Sequence, residues 1–284
     1  MTVKIAITGA EGKMGSATKA ALAKDDGFLL TFEIDPKFQV QDLEEQIQNR
    51  SSEPDAALQV SSLAQLESAS KMLGKSPNEL CDVLIDFTNA DSLFATAKWC
   101  ATHRVHLVSG STGLGEDQIA ELAALFSDKD SPNCILASNF SISAVILMHL
   151  VGIAAPYFDS VEIIELHHDE KKDAPSGTAI ATASHIANAL EKVNGSGLRK
   201  DPTETEKIPH ARGATAPGGI RIHSVRLHGL VAHEEVLFGA EGQSLTIRQD
   251  SYDRTSFMPG VLLAARQVSG RPGITIGLEK LLNL

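Results

Sequence analysis

A glycine-rich turn between the first strand and the first helix constrains the fold of this chain more than any other feature. Residues 3–8 form a short apolar run without strict alternation, which is typical of a strand buried on both faces of a sheet. The turn GAEGKMG follows at 9–15, and a helical pattern and a second strand-like run at 28–34 come next. Strand, glycine turn, helix and strand form a βαβ unit, which predicts a parallel sheet.

Composition limits the classes of protein that remain. The chain has 284 residues, of which 43% are hydrophobic and 21% are charged, so it is long enough for two packed domains. Its formal net charge of −11 argues against a nucleic-acid partner, which needs a basic surface. No apolar run approaches the ~18 residues of a membrane span, no signal peptide precedes the first strand, and the three cysteines form no C-x-x-C pair. We therefore expect a cytoplasmic protein with reduced thiols and no membrane partner.

Strands and helices alternate up to about residue 140. Helices are predicted near 91–102 and 115–127, between buried strands at 83–87, 105–109 and 134–137. Residues 37–80 interrupt this pattern, because they are rich in Gln, Glu, Ser and Asn and show only weak helical periodicity. We expect them to be a surface insertion at the edge of the sheet, with no catalytic role.

The pattern changes after an apolar helix at 142–155. Four strand-like runs follow, several of which alternate like strands of a half-exposed sheet: 161–168, 222–228, 234–238 and 244–249. Glu241-Gly242 predicts an antiparallel hairpin between the last two runs. The Gly-, Pro- and Thr-rich stretch 195–220 is expected to be a long loop over the functional site. A last helix at 256–268 leads into a tail that is expected to rejoin the first sheet.

The glycine turn predicts a site for a dinucleotide. Backbone N–H groups at the start of a helix can approach a pyrophosphate, and Asp35 at the end of the second strand can hold the ribose hydroxyls. Asp35 lies 26 residues after Gly9, whereas the usual offset is ~20 residues, and a tight turn followed by an ordinary aspartate is the alternative. Asp35 favours NADH, since a carboxylate repels a 2′-phosphate. Lys13 and Lys37 can offset that repulsion, so we expect use of NADH, NADPH or both.

The densest chemistry lies between a predicted strand and a predicted helix, at residues 165–179, which read ELHHDEKKDAPSGTA. His167 and His168 can exchange protons near neutral pH, and Lys171 adds a positive charge. The Pro-Ser-Gly-Thr turn at 175–178 opens the helix, where free backbone N–H groups attract an anion. Together these groups indicate a site that protonates or polarises a small carboxylate-bearing substrate.

The histidine pair has two other interpretations. A metal site is disfavoured, because metal ligands come from spaced positions or separate segments, whereas neighbouring strand residues point to opposite faces. We therefore expect no metal. Two surface histidines at a strand end are the other alternative, and it is weakened by Lys171 and by Ser176–Thr178 in the same loop. Lys172 is expected to be a solvated charge.

With both regions in view, the chain resembles the 4-hydroxy-tetrahydrodipicolinate reductases, enzymes of lysine and diaminopimelate synthesis. The signature His-His-x-x-Lys-x-Asp-Ala-Pro-Ser-Gly-Thr-Ala at 167–179 is specific to that family and is intact here. Further landmarks occur in the family's order: Asp86-Phe87-Thr88, Gly110–Gly113, Ala137–Phe140 and Arg254 before Ser256-Phe257. The resemblance covers nearly the whole chain except 37–80, and the actinobacterial members look most similar.

The resemblance implies two domains with different tasks. A Rossmann-like α/β domain with a parallel sheet, residues 1–141 and 252–284, would bind NADH or NADPH. An α+β domain with a mixed sheet, residues 142–251, would bind the substrate and form a homotetramer. The implied reaction transfers a hydride to ring C4 of 4-hydroxy-tetrahydrodipicolinate, a small dicarboxylate, and releases its hydroxyl as water.

The resemblance also implies roles for individual residues. His167 would be the general acid or base and Lys171 the partner proton donor, while His168, Gly177 and Thr178 would bind the substrate carboxylates. The residues that would contact the cofactor follow four predicted strands: Gly9, Ala10, Glu11, Gly12, Lys13, Met14, Asp35, Gly110, Ser111, Thr112, Ala137, Ser138, Asn139 and Phe140. These roles agree with the chemistry, because water leaves readily only after protonation and a dicarboxylate needs two anion sites.

Three positions depart from the family's pattern. Glu11 stands where glycine is frequent and brings a carboxylate near the pyrophosphate, which outward rotation of the side chain would relieve. Ser111 replaces the usual threonine of its turn, a mild change. Ser143 replaces a common glycine, so the bend after Phe140 is expected to differ. Only the first departure bears on cofactor affinity.

Two other functions remain open at this point. Homoserine and aspartate dehydrogenases share the two-domain plan but lack the His-His-x-x-Lys signature. A non-catalytic dinucleotide-binding protein would keep the glycine turn, yet it would have no need for His167, Lys171 and Thr178.

Overall fold

The computed structural model describes residues 2–39, 43–50, 55–128, 131–192 and 198–284. The strands of this part of the chain are β1 (Val3–Thr8), β2 (Phe28–Ile34), β3 (Leu58–Val60), β4 (Val83–Asp86), β5 (His106–Ser109), β6 (Cys134–Leu136), β7 (Ser160–His167), β8 (Ala214–Thr215), β9 (Arg221–Arg226), β10 (Ala232–Ala240), β11 (Gln243–Ser251) and β12 (Ile274–Ile276). Its α-helices are α1 (Lys13–Leu22), α2 (Leu43–Asn49), α3 (Leu63–Met72), α4 (Pro77–Leu80), α5 (Ala90–His103), α6 (Glu116–Leu125), α7 (Ile142–Ala154), α8 (Gly177–Lys192) and α9 (Met258–Gln267).

The chain divides into two compact units. The first comprises Met1–Phe140 and Phe257–Asn283, and the second comprises Ser141–Ser256 with Leu284. The domain ranges expected from the sequence placed the two crossings at 141/142 and 251/252. In the structure the chain leaves the first unit after Phe140 and returns to it after Ser256.

A parallel sheet forms the centre of the first unit. Its strand order is β12-β6-β5-β4-β1-β2-β3, and every neighbouring pair is parallel. The interior strand β1 is apolar without alternation because Ile5, Ala6 and Ile7 are fully buried, as expected for a strand covered on both faces. The predicted Rossmann-like α/β fold is confirmed, and the tail rejoins this sheet through β12.

A mixed sheet forms the second unit, as predicted. Its strand order is β11-β10-β7-β9-β8, in which β7 runs parallel to β9 and antiparallel to β10. The predicted hairpin at Glu241-Gly242 joins β10 to β11. An apolar core between the sheet and helices α7 and α8 includes Val151, Ile163, Ala183 and Val236. Charged and polar residues that face this core therefore need partners within the unit.

The expectation for residues 37–80 was wrong in one respect. The segment does lie at the sheet edge, but β3 pairs with β2 and extends the sheet by a strand. Leu58, Val60 and Leu66 belong to the buried core, so the segment is not a surface excursion. A three-residue strand with a glutamine at its centre is too short to show periodicity. Residues 40–42 and 51–54 lie outside the described residues.

Elsewhere the predicted bounds of strands and helices differ from the observed ones by no more than two residues. The stretch 195–220 contains the short strand β8, which was not predicted, and residues 195–197 lie outside the described residues. Helices in the described ranges all lack the length and hydropathy that crossing a membrane requires.

Candidate active site

The glycine turn after β1 has a backbone that side chains would obstruct. Gly9 has a φ of +73°, and a Cβ there would lie 2.6 Å from the carbonyl oxygen of Phe87. A Cβ on Gly15 would lie 2.2 Å from the carbonyl oxygen of Gly9, so α1 packs directly against the turn. The first N–H groups of α1 have no partner within the helix. The turn therefore fits a pyrophosphate at a helix N-terminus. The other predicted turn residues differ in exposure: Ala10 is buried, Gly12 and Met14 are half-buried, and Lys13 is exposed.

Asp35 directly follows β2 and its side chain is fixed against the turn. Its Oδ2 accepts a hydrogen bond from the Glu11 N–H (2.9 Å), and its Oδ1 accepts one from the Lys37 N–H (3.0 Å). Each carboxylate oxygen has two lone pairs, so each can also accept a bond from a hydroxyl group. This placement suits the predicted contact with a ribose.

The unusual Glu11 is paired with a lysine of α1. Lys19 Nζ donates to Glu11 Oε1 (3.1 Å) and to Glu33 Oε2 (3.0 Å). Burial lowers the pKa of Lys19, but the hydrogen bonds to Glu33 and Glu11 outweigh burial and raise it, so the ammonium group stays charged. An ion pair thus accommodates the carboxylate beside the turn. The three side chains together still carry one negative charge.

One buried carboxylate ties together the ends of three strands. Asp86, at the end of β4, is fully buried. Its Oδ1 accepts a hydrogen bond from Thr8 Oγ1 and its Oδ2 accepts one from Ser109 Oγ, both at 2.8 Å. These bonds fix the points at which the segments 9–15 and 110–112 begin. Because the strands are parallel, both predicted cofactor segments lie at the same edge of the sheet.

The predicted cofactor segments after β5 and β6 contain both packing and polar groups. Within Ala137–Phe140 the alanine and phenylalanine are buried, whereas the serine and asparagine reach the surface. The Phe140 ring packs edge-on against Phe87, with 5.9 Å between ring centroids. Thr112 is exposed. The hydroxyl of Ser111 is buried without a hydrogen-bond partner among the described residues, and a polar group of a bound cofactor would satisfy it.

At the end of β7, a buried carboxylate holds the predicted catalytic histidine. His167 Nδ1 lies 2.5 Å from Glu165 Oε2, and the Glu165 side chain is fully buried. Arg226 on β9 donates from Nη1 to Oε2 and from Nη2 to Oε1, each at 2.9 Å. The Ser176 N–H donates to Glu165 Oε1 (3.2 Å). Glu165 therefore connects β7, β9 and the start of α8.

Glu165 is ionised at neutral pH. Burial raises its pKa, but the hydrogen bonds from His167 and Arg226 outweigh burial and lower the pKa to about 2. A buried charge of this kind is stable only when it is paired and hydrogen-bonded, and the Arg226 guanidinium meets both conditions.

The loop after β7 places the other predicted polar residues. Lys171 Nζ lies 2.8 Å from both carboxylate oxygens of Asp173, so the predicted proton donor is ion-paired. This hydrogen bond lowers the pKa of Asp173. Arg226 Nη2 also donates to the Asp173 carbonyl oxygen (2.7 Å). His168 and Lys172 are exposed.

The start of α8 is where an anion site was predicted. Ser176 caps the helix, since its Oγ accepts a hydrogen bond from the Ala179 N–H (3.1 Å). The next two amides, of Gly177 and Thr178, precede the first intrahelical bond, which the Ile180 N–H makes to the Ser176 carbonyl oxygen (3.1 Å). A Cβ on Gly177 would meet no atom within 4 Å, so the space in front of the helix is open. Two amides and the Thr178 hydroxyl are thus available to a carboxylate.

Sequence reasoning assigned no role to Glu165, Arg226 or Asp173. A signal for Glu165 was present, because it lies two residues before His167 on a strand and hence on the same face. No local pattern indicated Arg226, which is 61 residues from Glu165 in the chain. Within the described ranges, no three or more His, Cys, Asp or Glu side chains are grouped so that they could hold a metal ion.

Comparison with known proteins accounts for both units. The family model described as dihydrodipicolinate reductase, N-terminus, matches residues 3–140, and the one described as dihydrodipicolinate reductase, C-terminus, matches residues 143–282. The 4-hydroxy-tetrahydrodipicolinate reductase of Corynebacterium aurimucosum is 39% identical over 285 residues, which cover 100% of both proteins. That of Mycobacterium marinum is 50% identical over 204 residues, which cover 72% of this chain and 81% of that protein.

A solved structure is also similar over its full length. It is the dipicolinate-bound dihydrodipicolinate reductase from Paenisporosarcina sp. TG-14, with a TM-score of 0.79, 37% identity and coverage of 99% of both chains. The resemblance inferred from the signature at 167–179, including the actinobacterial relatives, is thereby confirmed. The chain belongs to the dihydrodipicolinate reductase family.

Proposed function

We propose that this chain reduces 4-hydroxy-tetrahydrodipicolinate to tetrahydrodipicolinate with NADH or NADPH and releases water, as a step of lysine and diaminopimelate biosynthesis. The observation that carries the proposal is the double role of Glu165. It binds the imidazole of His167 at 2.5 Å and the N–H of Ser176, the residue that caps α8, at 3.2 Å. A proton-transfer group and an anion site are thus built on one carboxylate. A substrate with a leaving hydroxyl and carboxylate groups requires this combination.

Proton transfer is assigned to His167 and Lys171. The hydroxyl group leaves as water once it is protonated, and the imidazole and the ammonium group both offer N–H donors. Lys171 exchanges its bond to Asp173 for one to the substrate. Asp173 is 65% exposed, and solvent screens an exposed ion pair, so this exchange costs little.

Carboxylate binding is assigned to His168, Gly177 and Thr178. The two amides and the hydroxyl at the start of α8 take one carboxylate, and the exposed imidazole of His168 contacts the other. The relative from Paenisporosarcina, whose structure contains dipicolinate, supports a dicarboxylate ligand for this unit.

Cofactor binding is assigned to the first unit. When bound, NADH or NADPH supplies the hydride. Residues 9–14 would hold its pyrophosphate, Asp35 its adenosine ribose, and residues 110–112 and 137–140 the rest of the molecule. The net negative charge of Glu11, Glu33 and Lys19 beside Asp35 favours NADH, because a 2′-phosphate is repelled there.

The second unit is also assigned to assembly of a homotetramer. Apolar side chains remain exposed along one face of α7, at Ile146, Leu150 and Ile153, and on the paired strands β10 and β11, at Leu237 and Leu245. A cytoplasmic location agrees with the three cysteines, which are buried as free thiols.

The reaction is tested by following the absorbance of NADH and of NADPH with enzymatically generated 4-hydroxy-tetrahydrodipicolinate. Oxidation of the cofactor that depends on this substrate is expected. Tight binding of NADH without any such oxidation would instead identify a non-catalytic dinucleotide-binding protein.

The residue roles are tested with His167→Gln, Lys171→Ala and the control Lys172→Ala. The first two variants are expected to lose most of their kcat while the Kd for NADH stays unchanged. Lys172→Ala removes a neighbouring exposed charge and is expected to retain the wild-type kcat. Unchanged turnover in both test variants would refute the assigned roles.

A further inference from the structure

We infer that Glu165 is a positioning residue of the proton-transfer site. Its carboxylate determines which imidazole nitrogen of His167 carries the exchangeable proton. It also fixes the position of that imidazole relative to the start of α8. The inference rests on the proposed function, since it assigns a role within that reaction. Glu165 is fully buried and acts through its neighbours, so it is not itself a catalytic residue.

The carboxylate of Glu165 has no remaining capacity to bind a substrate. Its Oε1 accepts hydrogen bonds from the Ser176 N–H and from Arg226 Nη2, and its Oε2 accepts bonds from His167 and from Arg226 Nη1. Together with a hydrogen bond from the Ser224 side chain, these bonds leave no lone-pair position of the carboxylate free. Rotation of the side chain would break several of these bonds at once, so its position is fixed.

This fixed charge determines the tautomer of His167. An ionised carboxylate can only accept hydrogen bonds, and therefore Nδ1 is the nitrogen that carries the proton in the 2.5 Å contact. Nε2 is then the nitrogen that exchanges a proton with the substrate. A buried carboxylate plays the equivalent role for the histidine of serine proteases, where loss of its charge lowers kcat by about 10⁴-fold.

The Glu165–Arg226 pair also positions Lys171. Arg226, which pairs with Glu165 in a bidentate manner, donates in addition to the carbonyl oxygen of Asp173 (2.7 Å). The Asp173 side chain in turn binds Lys171. His167, Lys171 and the cap of α8 are thus held relative to one another by a single Glu–Arg pair.

A second buried glutamate shows that burial alone does not give a carboxylate the hydrogen-bond partners that Glu165 has. Glu234 on β10 lies directly opposite Glu165 on β7 and is also buried. Its Oε1 has no hydrogen-bond partner among the described residues, and burial raises the pKa of Glu234 to about 7. The two residues share a sheet and a face. The hydrogen bonds from the side chains of His167, Arg226 and Ser224 therefore account for the ionised state of Glu165.

The test is the variant Glu165→Gln, which keeps the size of the side chain and removes its charge. The amide N–H₂ group can face His167 Nδ1 and turn it into an acceptor, which places the proton on Nε2. We expect kcat to fall by about 10²- to 10⁴-fold while KM and the Kd for NADH change little.

A matched control is available on the same strand. Glu162 on β7 also accepts hydrogen bonds from a histidine, His223 (2.7 Å), and from an arginine, Arg212. Its side-chain partners among the described residues, His223 and Arg212, come from outside the loop 168–176, and no role in the site is assigned to it. Glu162→Gln should therefore reproduce the loss of a His–Glu–Arg cluster and retain the wild-type kcat and pH profile.

A double variant separates positioning from a merely structural role. If Glu165 acts through His167, then Glu165→Gln added to His167→Gln lowers kcat no further than His167→Gln alone. Additive losses would overturn the inference, as would wild-type kcat in Glu165→Gln. Should Glu165→Gln fail to fold, Glu165→Asp keeps the charge but withdraws it by one methylene group, and the same cycle with the same two outcomes decides. An inactive wild-type protein would instead refute the proposed function.

Discussion

Replacing Glu234 by glutamine should stabilise the second unit at alkaline pH and hardly affect it at acidic pH. Glu234 is 2% exposed, and the residue opposite it on β7 is the ionised Glu165. Its Oε1 has no hydrogen-bond partner among the described residues. An ionised Glu234 would therefore be a buried, unpaired charge beside a charge of the same sign, which is costly.

The magnitude follows from the pKa of Glu234. Burial raises this pKa from 4.5 to about 7, the Thr182 hydroxyl opposes the change in part, and the charge of Glu165 adds to it. Between these two pH values the folded state binds more protons than the unfolded chain, so the free energy of unfolding falls as the pH rises. At about 1.4 kcal/mol per pH unit, the total loss is about 3 kcal/mol at pH 8 and under about 1 kcal/mol at pH 5. Glutamine has no proton to lose and avoids this loss.

The prediction is measured by calorimetry of the wild-type protein and Glu234→Gln at pH 5 and pH 8. At 2–4 °C for each kcal/mol, the variant should unfold about 6–12 °C above the wild-type protein at pH 8 and nearly together with it at pH 5. Glu235→Gln is the control, because the neighbouring Glu235 is paired with Arg248 (2.7 Å) and its loss should have the same small effect at both pH values. The reasoning is refuted if the advantage of Glu234→Gln is equal at pH 5 and pH 8.

Two further predictions concern the nucleotide turn. Gly15→Ala would place a Cβ 2.2 Å from the Gly9 carbonyl oxygen and displace the turn, so the Kd for NADH measured by calorimetry should rise at least about tenfold. Gly152→Ala in α7, where a Cβ meets no atom within 4 Å, is the control and should leave the Kd for NADH unchanged. Equal affinities of both variants for NADH would contradict the assigned pyrophosphate site. Glu11→Lys reverses a charge next to Asp35 and should lower the Kd for NADPH by about fivefold, with little effect on that for NADH. An equal change for both cofactors in titrations at low salt would exclude a 2′-phosphate subsite there.

The parallel sheet could be predicted because it depends on local patterns. The apolar run of β1 and the spacing of Gly9 and Gly15 are visible within about fifteen residues, and the structure shows the positive φ and the close contact that require glycine there. β3 could not be predicted in the same way. Leu58–Val60 becomes a strand because it pairs with β2, whose partner residues Phe32–Ile34 lie more than twenty positions away. Pairing over that distance leaves no periodic signal in three residues.

For the candidate site, too, the sequence reveals the residues that are close together in the chain and not those that meet only after folding. His167, Lys171 and Thr178 are close in the chain, so their shared chemistry was visible without a structure. The ion pair between Lys171 and Asp173 also lies within that stretch, yet a sequence does not show which of several neighbouring charges will meet. The partners of Glu165 come from β9 and from the cap of α8, and they become neighbours only after the sheet has formed.

Strand order explains why Glu165 is paired with an arginine whereas Glu234 has no such partner among the described residues. Glu165 and Glu234 both follow apolar or histidine-containing runs, and both face the core of the second unit. β7 has β9 as its direct neighbour, which brings the Arg226 guanidinium to Glu165. β10 lies between β7 and β11, and in the part of the chain that the structure describes neither strand brings a cation into an ion pair with Glu234. His233, next to Glu234 in the chain, pairs with Asp250 of β11 instead. The order β10-β7-β9 thus decides which carboxylate has a cationic partner, and with it which of the two has the lower pKa.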